Sequence, residues 1–174
     1  MPKTNKAVNF EETILPHLDA AYNLARWLTR DGADAEDVVQ EAYLRAFKFF
    51  DGFHGDNARS WILKIVRNTC YSWLQKNRAH AVTTEFDEEQ HGVVDHDTEA
   101  VLIGNIDTQM LKRLLNELPL EFREIVILRE LEGMSYKEIA GVSDLPLGTV
   151  MSRLARARAR LQTGLVTCLK GELK

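Results

Sequence analysis

The sequence predicts an all-α protein made of two small helical domains joined by an acidic linker, and three observations predict it. Apolar residues recur at three- and four-residue spacing through most of the chain, and no alternating β pattern of useful length occurs. Periodicity fades once, in an acidic stretch poor in core-forming residues. Turn signals such as Gly52, Gly55-Asp56-Asn57, Pro119 and Gly133 fall between the periodic runs. The boundaries that follow are residues 1–80, a linker over 81–105, and residues 106–174.

In order, Ile14, Leu18, Ala21, Leu24, Ala25 and Leu28 mark a first amphipathic helix. Asp34 suits an N-cap, with Glu36 and Asp37 in the turn after it. That second helix runs through Val38, Val39, Ala42, Tyr43, Ala46 and Phe47 toward Phe50, and a third spans about residues 60–78. Beyond the linker, Ile106, Met110, Leu111, Leu114, Leu115 and Leu118 form a helix that ends before Pro119, and another runs from Leu120 to Leu131. Ser135 followed by Glu138 is a capping box, so a short helix starts there. Pro146 suits the first turn of a last helix that continues into Leu161.

Composition excludes several classes. Apolar residues are 45% and aromatics 8% of 174 residues, enough for packed cores. No run of about 18 apolar residues exists, and Met1 to Lys6 lacks the apolar segment of a signal peptide, so the expectation is a soluble cytoplasmic protein without membrane insertion. Cys70 and Cys168 match no metal or redox spacing and are expected to be buried or partly buried thiols. His91 and His96 lack cysteine partners, so no metal is expected. No paired carboxylates, nucleophile–base set or Gly-rich phosphate loop supports an enzyme, and no cofactor is expected.

The net charge of −4 argues against a nucleic-acid binder until its distribution is considered. Residues 57–84 carry Arg59, Lys64, Arg67, Lys76 and Arg78 with no acid, whereas 85–107 carry only acids among their Asp, Glu, Lys and Arg positions. Residues 145–174 are basic again. Two cationic blocks flank an acidic one.

The segment from Leu118 to Leu161 reads as a helix-turn-helix. At about 100° per residue, Thr149, Arg153, Arg156 and Arg160 share a stripe about 60° wide, Ser152 lies beside it, and Arg158 points away. No acid occurs between Asp144 and Glu172, unlike an ordinary solvated face that mixes both signs. In a helix-turn-helix the second helix enters the major groove, where guanidinium forks suit guanine edges and phosphates. The helix over 60–78 has a matching property: Lys64, Arg67, Asn68, Tyr71, Gln75 and Arg78 fall on one face, opposite Ile62, Ile65, Val66, Cys70 and Trp73. Cations, an amide and a ring without a carboxylate are what single-stranded nucleic acid requires.

Asp34-Ala35-Glu36-Asp37-Val38-Val39-Gln40-Glu41-Ala42-Tyr43-Leu44-Arg45-Ala46-Phe47, Trp61, Arg67-Asn68-Thr69, Leu118-Pro119, Arg123-Glu124, Glu138-Ile139-Ala140, Gly148-Thr149-Val150, Ser152-Arg153-Leu154 and Arg156-Ala157-Arg158 together resemble an extracytoplasmic-function sigma factor. This is the two-domain class of bacterial RNA polymerase sigma subunits, and the resemblance covers essentially the whole chain. It implies that the N-terminal domain is a three- or four-helix bundle binding core RNA polymerase and the −10 element. The C-terminal domain would be the helix-turn-helix that reads the −35 element as duplex.

The resemblance places the polymerase clamp helices against Asp37, Gln40, Glu41, Leu44 and Arg45. It assigns melting and capture of the −10 strand to Phe53, Asn57, Trp61, Lys64, Arg67, Asn68 and Tyr71, with Phe53 and Asn68 at positions that hold a flipped base. Thr149, Ser152, Arg153, Arg156 and Arg160 would meet the −35 duplex. It implies that the acidic linker, with Asp87, Glu88 and Glu89, threads through the polymerase, and that an anti-sigma factor restrains the protein. Two departures stand out. The loop Gly55-Asp56-Asn57-Ala58-Arg59-Ser60-Trp61 is one residue shorter than the commonest version, implying an unusual −10 preference. Met151 stands where many members carry Lys or Arg, implying a lost phosphate or base contact. A stand-alone helix-turn-helix regulator with an N-terminal sensor domain is the alternative; it explains the C-terminal half but not the acid-free face over 60–78.

Overall fold

The computed structural model describes residues 5–83 and 106–172. Helix α1 (Asn5–Thr13) is followed by a 3-10 turn (Leu15–His17) and α2 (Leu18–Thr29). The single helix expected from Ile14 onward is therefore divided, because Pro16 has no N–H to continue an α-helical ladder and starts a new turn instead. Helix α1 was not legible in the periodicity. It is held by Phe10, whose ring meets Phe47 and Phe50 edge-on at 5.3 Å and Tyr43 at 6.3 Å.

Arg30 closes α2 in the left-handed region at φ 64°. Asp31 then caps α3 (Gly32–Phe49), its Oδ1 accepting the Asp34 N–H at 2.9 Å. The cap thus lies one turn earlier than the expected Asp34, because Gly32 tolerates the first helical position despite its poor propensity. After a 3-10 turn (Phe50–Gly52), Asn57 Oδ1 accepts the Ser60 N–H at 3.0 Å and starts α4 (Ala58–Thr83). This helix overruns its expected end at 78, so residues 81–83, assigned to the linker, are helical. Residues 84–105, with Asp87, Glu88, Glu89, His91 and His96, lie outside the described residues.

The core of this half joins Leu24 and Leu28 of α2, Val38 and Ala42 of α3, and Ile62, Leu63 and Val66 of α4, all fully or nearly fully buried. Each large aliphatic side chain so buried contributes about 1.5–3 kcal/mol. Ala21, Ala25, Ala35 and Ala46 let the three helices approach closely.

In the second half, α5 (Ile106–Glu117) ends before Pro119. Its open carbonyl end is satisfied from inside: the buried Arg123 guanidinium donates to the Asn116 and Leu118 carbonyls at 3.2 and 3.0 Å. Burial, together with the charge of Arg30, pulls the Arg123 pKa down to about 10. Helix α6 (Leu120–Val126) widens into a π turn (Ile127–Leu131), and Gly133 takes φ 64° where the chain turns away. Ser135 Oγ accepts the Glu138 N–H at 3.1 Å, so α7 (Tyr136–Ser143) begins at the expected capping box. Asp144 at φ 56° makes the turn of the helix-turn-helix.

The last helix, α8 (Leu147–Glu172), runs eleven residues past Leu161. Pro146 stands just outside it, its carbonyl accepting the N–H groups of Thr149 and Val150. A side chain at Gly164 would place a Cβ 2.7 Å from Leu114 Cδ2, so α8 lies closely on α5 there and a substitution would have to displace the end of the Leu114 side chain. Ile125, Leu128, Ile139, Val142, Val150 and Leu154 fill the core between α6, α7 and α8. The two halves also touch: α7 packs on α4, and α6 on α2.

Candidate polymerase and nucleic-acid interfaces

On α8, the predicted stripe is present. Ser152, Arg156 and Arg160 are exposed, while Thr149 and Arg153 are half-buried beside them. Val150, Leu154 and Ala157 anchor the adjacent face in the core, which fixes the orientation of the arginines. Arg160 lies over the Phe122 ring at 4.9 Å, a contact that steadies its long stem. Arg158 turns away from the stripe, as its phase requires, and pairs with Glu130. Met151 is 50% exposed on the same helix and offers no charge.

The α4 face is more occupied than its sequence suggests. Phe53 and Trp61 do come together, with ring centroids 5.0 Å apart, and Phe50 stacks on Phe53 at 6.0 Å. Lys64 and Asn68 are exposed. Arg67 lies over the Tyr71 ring at 3.9 Å and reaches Asn68 Oδ1 at 3.2 Å. The absence of carboxylates on this helix does not carry over to its surroundings, however, because the other half of the chain supplies them. Arg67 Nε donates to Glu124 Oε1 at 2.6 Å, and the Tyr71 hydroxyl donates to Glu124 Oε2 at 2.5 Å.

Burial alone would weaken the Arg67 charge, but the Glu124 carboxylate more than restores it and raises its pKa. Burial, reinforced by Glu124, pushes the Tyr71 phenol upward. Near the start of α4, Asn57 Nδ2, Ser60 Oγ and Arg59 lie 3.4, 3.5 and 3.6 Å from Glu138 Oε2. Desolvation would raise the Glu138 pKa, yet hydrogen bonds from Asn57 and Ser135 and the charge of Arg59 hold it below the ordinary carboxylate value.

Sequence periodicity did not identify the part played by Glu124. The signal available was a pair of charges, Arg123-Glu124, set directly before the apolar run from Ile125 to Leu128. The side chain of Glu124 is 0% exposed, and a buried carboxylate needs a cation nearby.

On α3, Asp37, Gln40, Leu44 and Arg45 are exposed, and Glu41 is half-buried in an i,i+4 pair with Arg45 at 2.5 Å. Leu44 is 68% exposed, an apolar side chain among charges. Beside it, a groove of about 670 Å³ between α2 and α3 is lined by Leu18, Tyr22, Val39, Gln40 and Tyr43 with Asp19, Asn23 and Glu36. An apolar floor with an acidic rim suits a partner helix that carries basic residues. Among the described residues no cluster of His, Cys, Asp and Glu could hold a metal, and no helix is long and apolar enough to cross a membrane.

A helix-turn-helix with a cationic reading helix, joined to a helical bundle with a second cationic and aromatic face, defines a class: helical transcription factors that touch DNA at two places. Comparison with known proteins narrows the class. Sigma-70 region 2 matches residues 13–80 and Sigma-70, region 4 matches residues 108–161. The ECF RNA polymerase sigma-E factor of Escherichia coli strain K12 is 35% identical over 134 residues, covering 72% of this chain and 70% of that protein. RNA polymerase sigma-H factor of Pseudomonas aeruginosa is 30% identical over 170 residues, covering 92% and 88%.

Among solved structures, the sigma factor RpoE in complex with the anti-sigma factor NepR, from Bartonella quintana, is similar with a TM-score of 0.74 and 30% identity, covering 90% of this chain and 96% of that one. CnrH in complex with the cytosolic domain of CnrY is similar with a TM-score of 0.66 and 26% identity, covering 91% and 88%. The chain belongs to the extracytoplasmic-function sigma factors, the transcription initiation factors expected from its motifs.

Proposed function

We propose that residues 5–83 hold core RNA polymerase and the melted −10 strand, and that residues 106–172 read the −35 duplex. The observation that carries this division is the pair of cationic faces, one on α4 beside the Phe50, Phe53 and Trp61 rings, and one on α8 whose ring contact, Phe122, lies under Arg160. Clustered rings serve unpaired bases, while an arginine stripe on a reading helix serves a major groove. Phe53, Trp61, Asn68 and Tyr71, with Asn57, Lys64 and Arg67, take the −10 strand. Extruding a base costs a few kcal/mol, and the Phe53–Trp61 pair supplies a surface against which it can be recovered. Asn57 also caps α4, so its substitution disturbs the helix as well as any base contact.

Thr149, Ser152, Arg153, Arg156 and Arg160 meet the −35 element. The acidic rim and exposed Leu44 on α3, with Asp37, Gln40, Glu41 and Arg45, dock on the clamp helices of the largest polymerase subunit. The protein acts in the cytoplasm, where polymerase is found, and has no catalytic centre of its own. One similar structure is a sigma factor in complex with an anti-sigma factor, and another is CnrH in complex with the cytosolic domain of CnrY; the first supports an anti-sigma factor as the restraint here.

Run-off transcription with purified core polymerase on a genomic promoter library tests the assignment. Initiation that requires both core and this chain, at start sites sharing two spaced elements, is expected. Absence of any core-dependent initiation refutes it.

A further inference from the structure

We propose that Met151 determines sequence specificity in the −35 contact by reading the C5 methyl group of a thymine in the major groove. The inference rests on the assignment of α8 to the −35 duplex and deepens it.

The exposed surface of α8 is divided along its length. Val150, Leu154 and Ala157 are at most 2% exposed and fix the side that faces the core. At about 100° per residue, the line pointing straight out of the domain passes close to Ser152. From that line toward one edge the helix carries Arg156, Thr149, Arg160 and Arg153 in turn. Toward the other edge it carries Ala155, Met151 and Leu147.

Met151 and Leu147 are 50% and 48% exposed, one turn apart and about 40° apart in phase. Arg158 shares this second edge, but its charge is engaged: Nε and Nη2 both donate to Glu130 Oε1, at 3.1 and 2.5 Å. One edge therefore presents guanidinium groups, and the other an apolar pair beside a neutralised charge.

The major groove offers a partner to each. Phosphates and guanine edges suit the first edge. Base edges in the groove show donors, acceptors and a single kind of apolar group, the thymine methyl, and that group suits the second. Of the two apolar side chains, Met151 has the reach and the place. It is the fifth residue of α8, directly before Ser152, within the N-terminal turns that meet base edges. Its unbranched thioether stem has three rotatable bonds, so it can bend inward from the flank of the helix. A cation at this position would find a phosphate whatever the sequence. A thioether finds a favourable contact only where a thymine stands, which makes the contact selective.

The test uses the full chain and a −35 duplex enriched by repeated binding from a library of short random duplexes. Each thymine is replaced in turn by deoxyuridine, which removes the methyl group and leaves every hydrogen-bonding atom in place. Fluorescence anisotropy gives the affinities. In the wild type, one such exchange is expected to weaken binding about four-fold, the ratio for returning one methyl group of apolar contact to water. Met151→Ala is expected to bind the methylated duplex about four-fold less tightly and to be indifferent to that exchange. Met151→Leu should keep the sensitivity, and Arg156→Ala should lose overall affinity while keeping the four-fold ratio.

A wild type indifferent to every exchange overturns the proposal, as does a Met151→Ala variant that retains the wild-type ratio. Because Met151 is half-exposed, its truncation leaves the core intact, and a loss of affinity equal for both duplexes counts as retention of the ratio. Failure of the −35 assignment looks different: no duplex is enriched, and both ideas fall together. An enriched duplex that ignores demethylation removes the methyl contact alone.

Discussion

Arg156 and Arg158 sit two residues apart on the same helix, and the structure assigns them opposite consequences. Arg156 is exposed on the reading stripe, and Arg158 is turned away and paired with Glu130. If Arg153, Arg156 and Arg160 each neutralise one phosphate, the logarithm of duplex affinity should fall with the logarithm of salt with a slope of about −2.7, at about −0.9 per contact. Doubling the salt concentration then weakens binding roughly six-fold. Arg156→Ala should lower the slope to about −1.8, so that the same doubling costs roughly 3.5-fold. If Arg156 instead meets a base edge, the slope is about −1.8 with or without it, and its loss costs about 1–3 kcal/mol at one promoter position.

Arg158→Ala removes an exposed ion pair and should change affinity by less than about 0.5 kcal/mol, with no change in slope. The assay is fluorescence anisotropy of a labelled −35 duplex titrated with the full chain across a series of KCl concentrations. Equal losses from the two substitutions would refute the orientation given to α8, because only a helix rolled about its axis could present both residues to DNA.

Three further outcomes follow from the local chemistry. Ser135→Ala removes the acceptor for the Glu138 N–H and should cost about 1 kcal/mol, read as a lower urea midpoint in an unfolding titration. Cys70 is fully buried, with its pKa pushed up to about 12 by burial and, less strongly, by Glu124, so only Cys168 should react with a thiol reagent at pH 8 before unfolding. Because the folded thiol stays protonated above its unfolded value of 9.0, stability should decline as pH rises from 9 toward 12, and Cys70→Ala should lessen that decline.

The sequence made the helix-turn-helix legible because its signals are local: Ser135 and Glu138 lie three residues apart, and the arginine stripe follows from the period of a single helix. Asp31 was obscured for an equally local reason. Four acids fall between positions 31 and 37, and the glycine after Asp31 masks the start of the helix, so periodicity favoured Asp34. Helix α1 depends on Phe10 finding three rings from positions 43 to 50, a contact that no short window contains. The partnership of Glu124 with Arg67 and Tyr71 spans more than fifty residues, and its cause is tertiary. Periodicity identified a face without carboxylates on its own helix, and only packing could bring a carboxylate to it.

The close approach of Gly164 to Leu114 has a mechanical side. Leu114 lies against Gly164, and Arg113 reaches Cys168 at 3.4 Å, so α5 runs back along α8 and the chain enters this half near the far end of that helix. From Thr149 to Cys168, at about 1.5 Å per residue, is roughly 30 Å. The reading side chains thus sit at one end of a rigid rod and the tether is fastened near the other. A pull on the start of α5 therefore meets the α5–α8 packing, at Arg113–Cys168 and Leu114–Gly164, before it reaches the reading side chains, whose spacing the helix keeps.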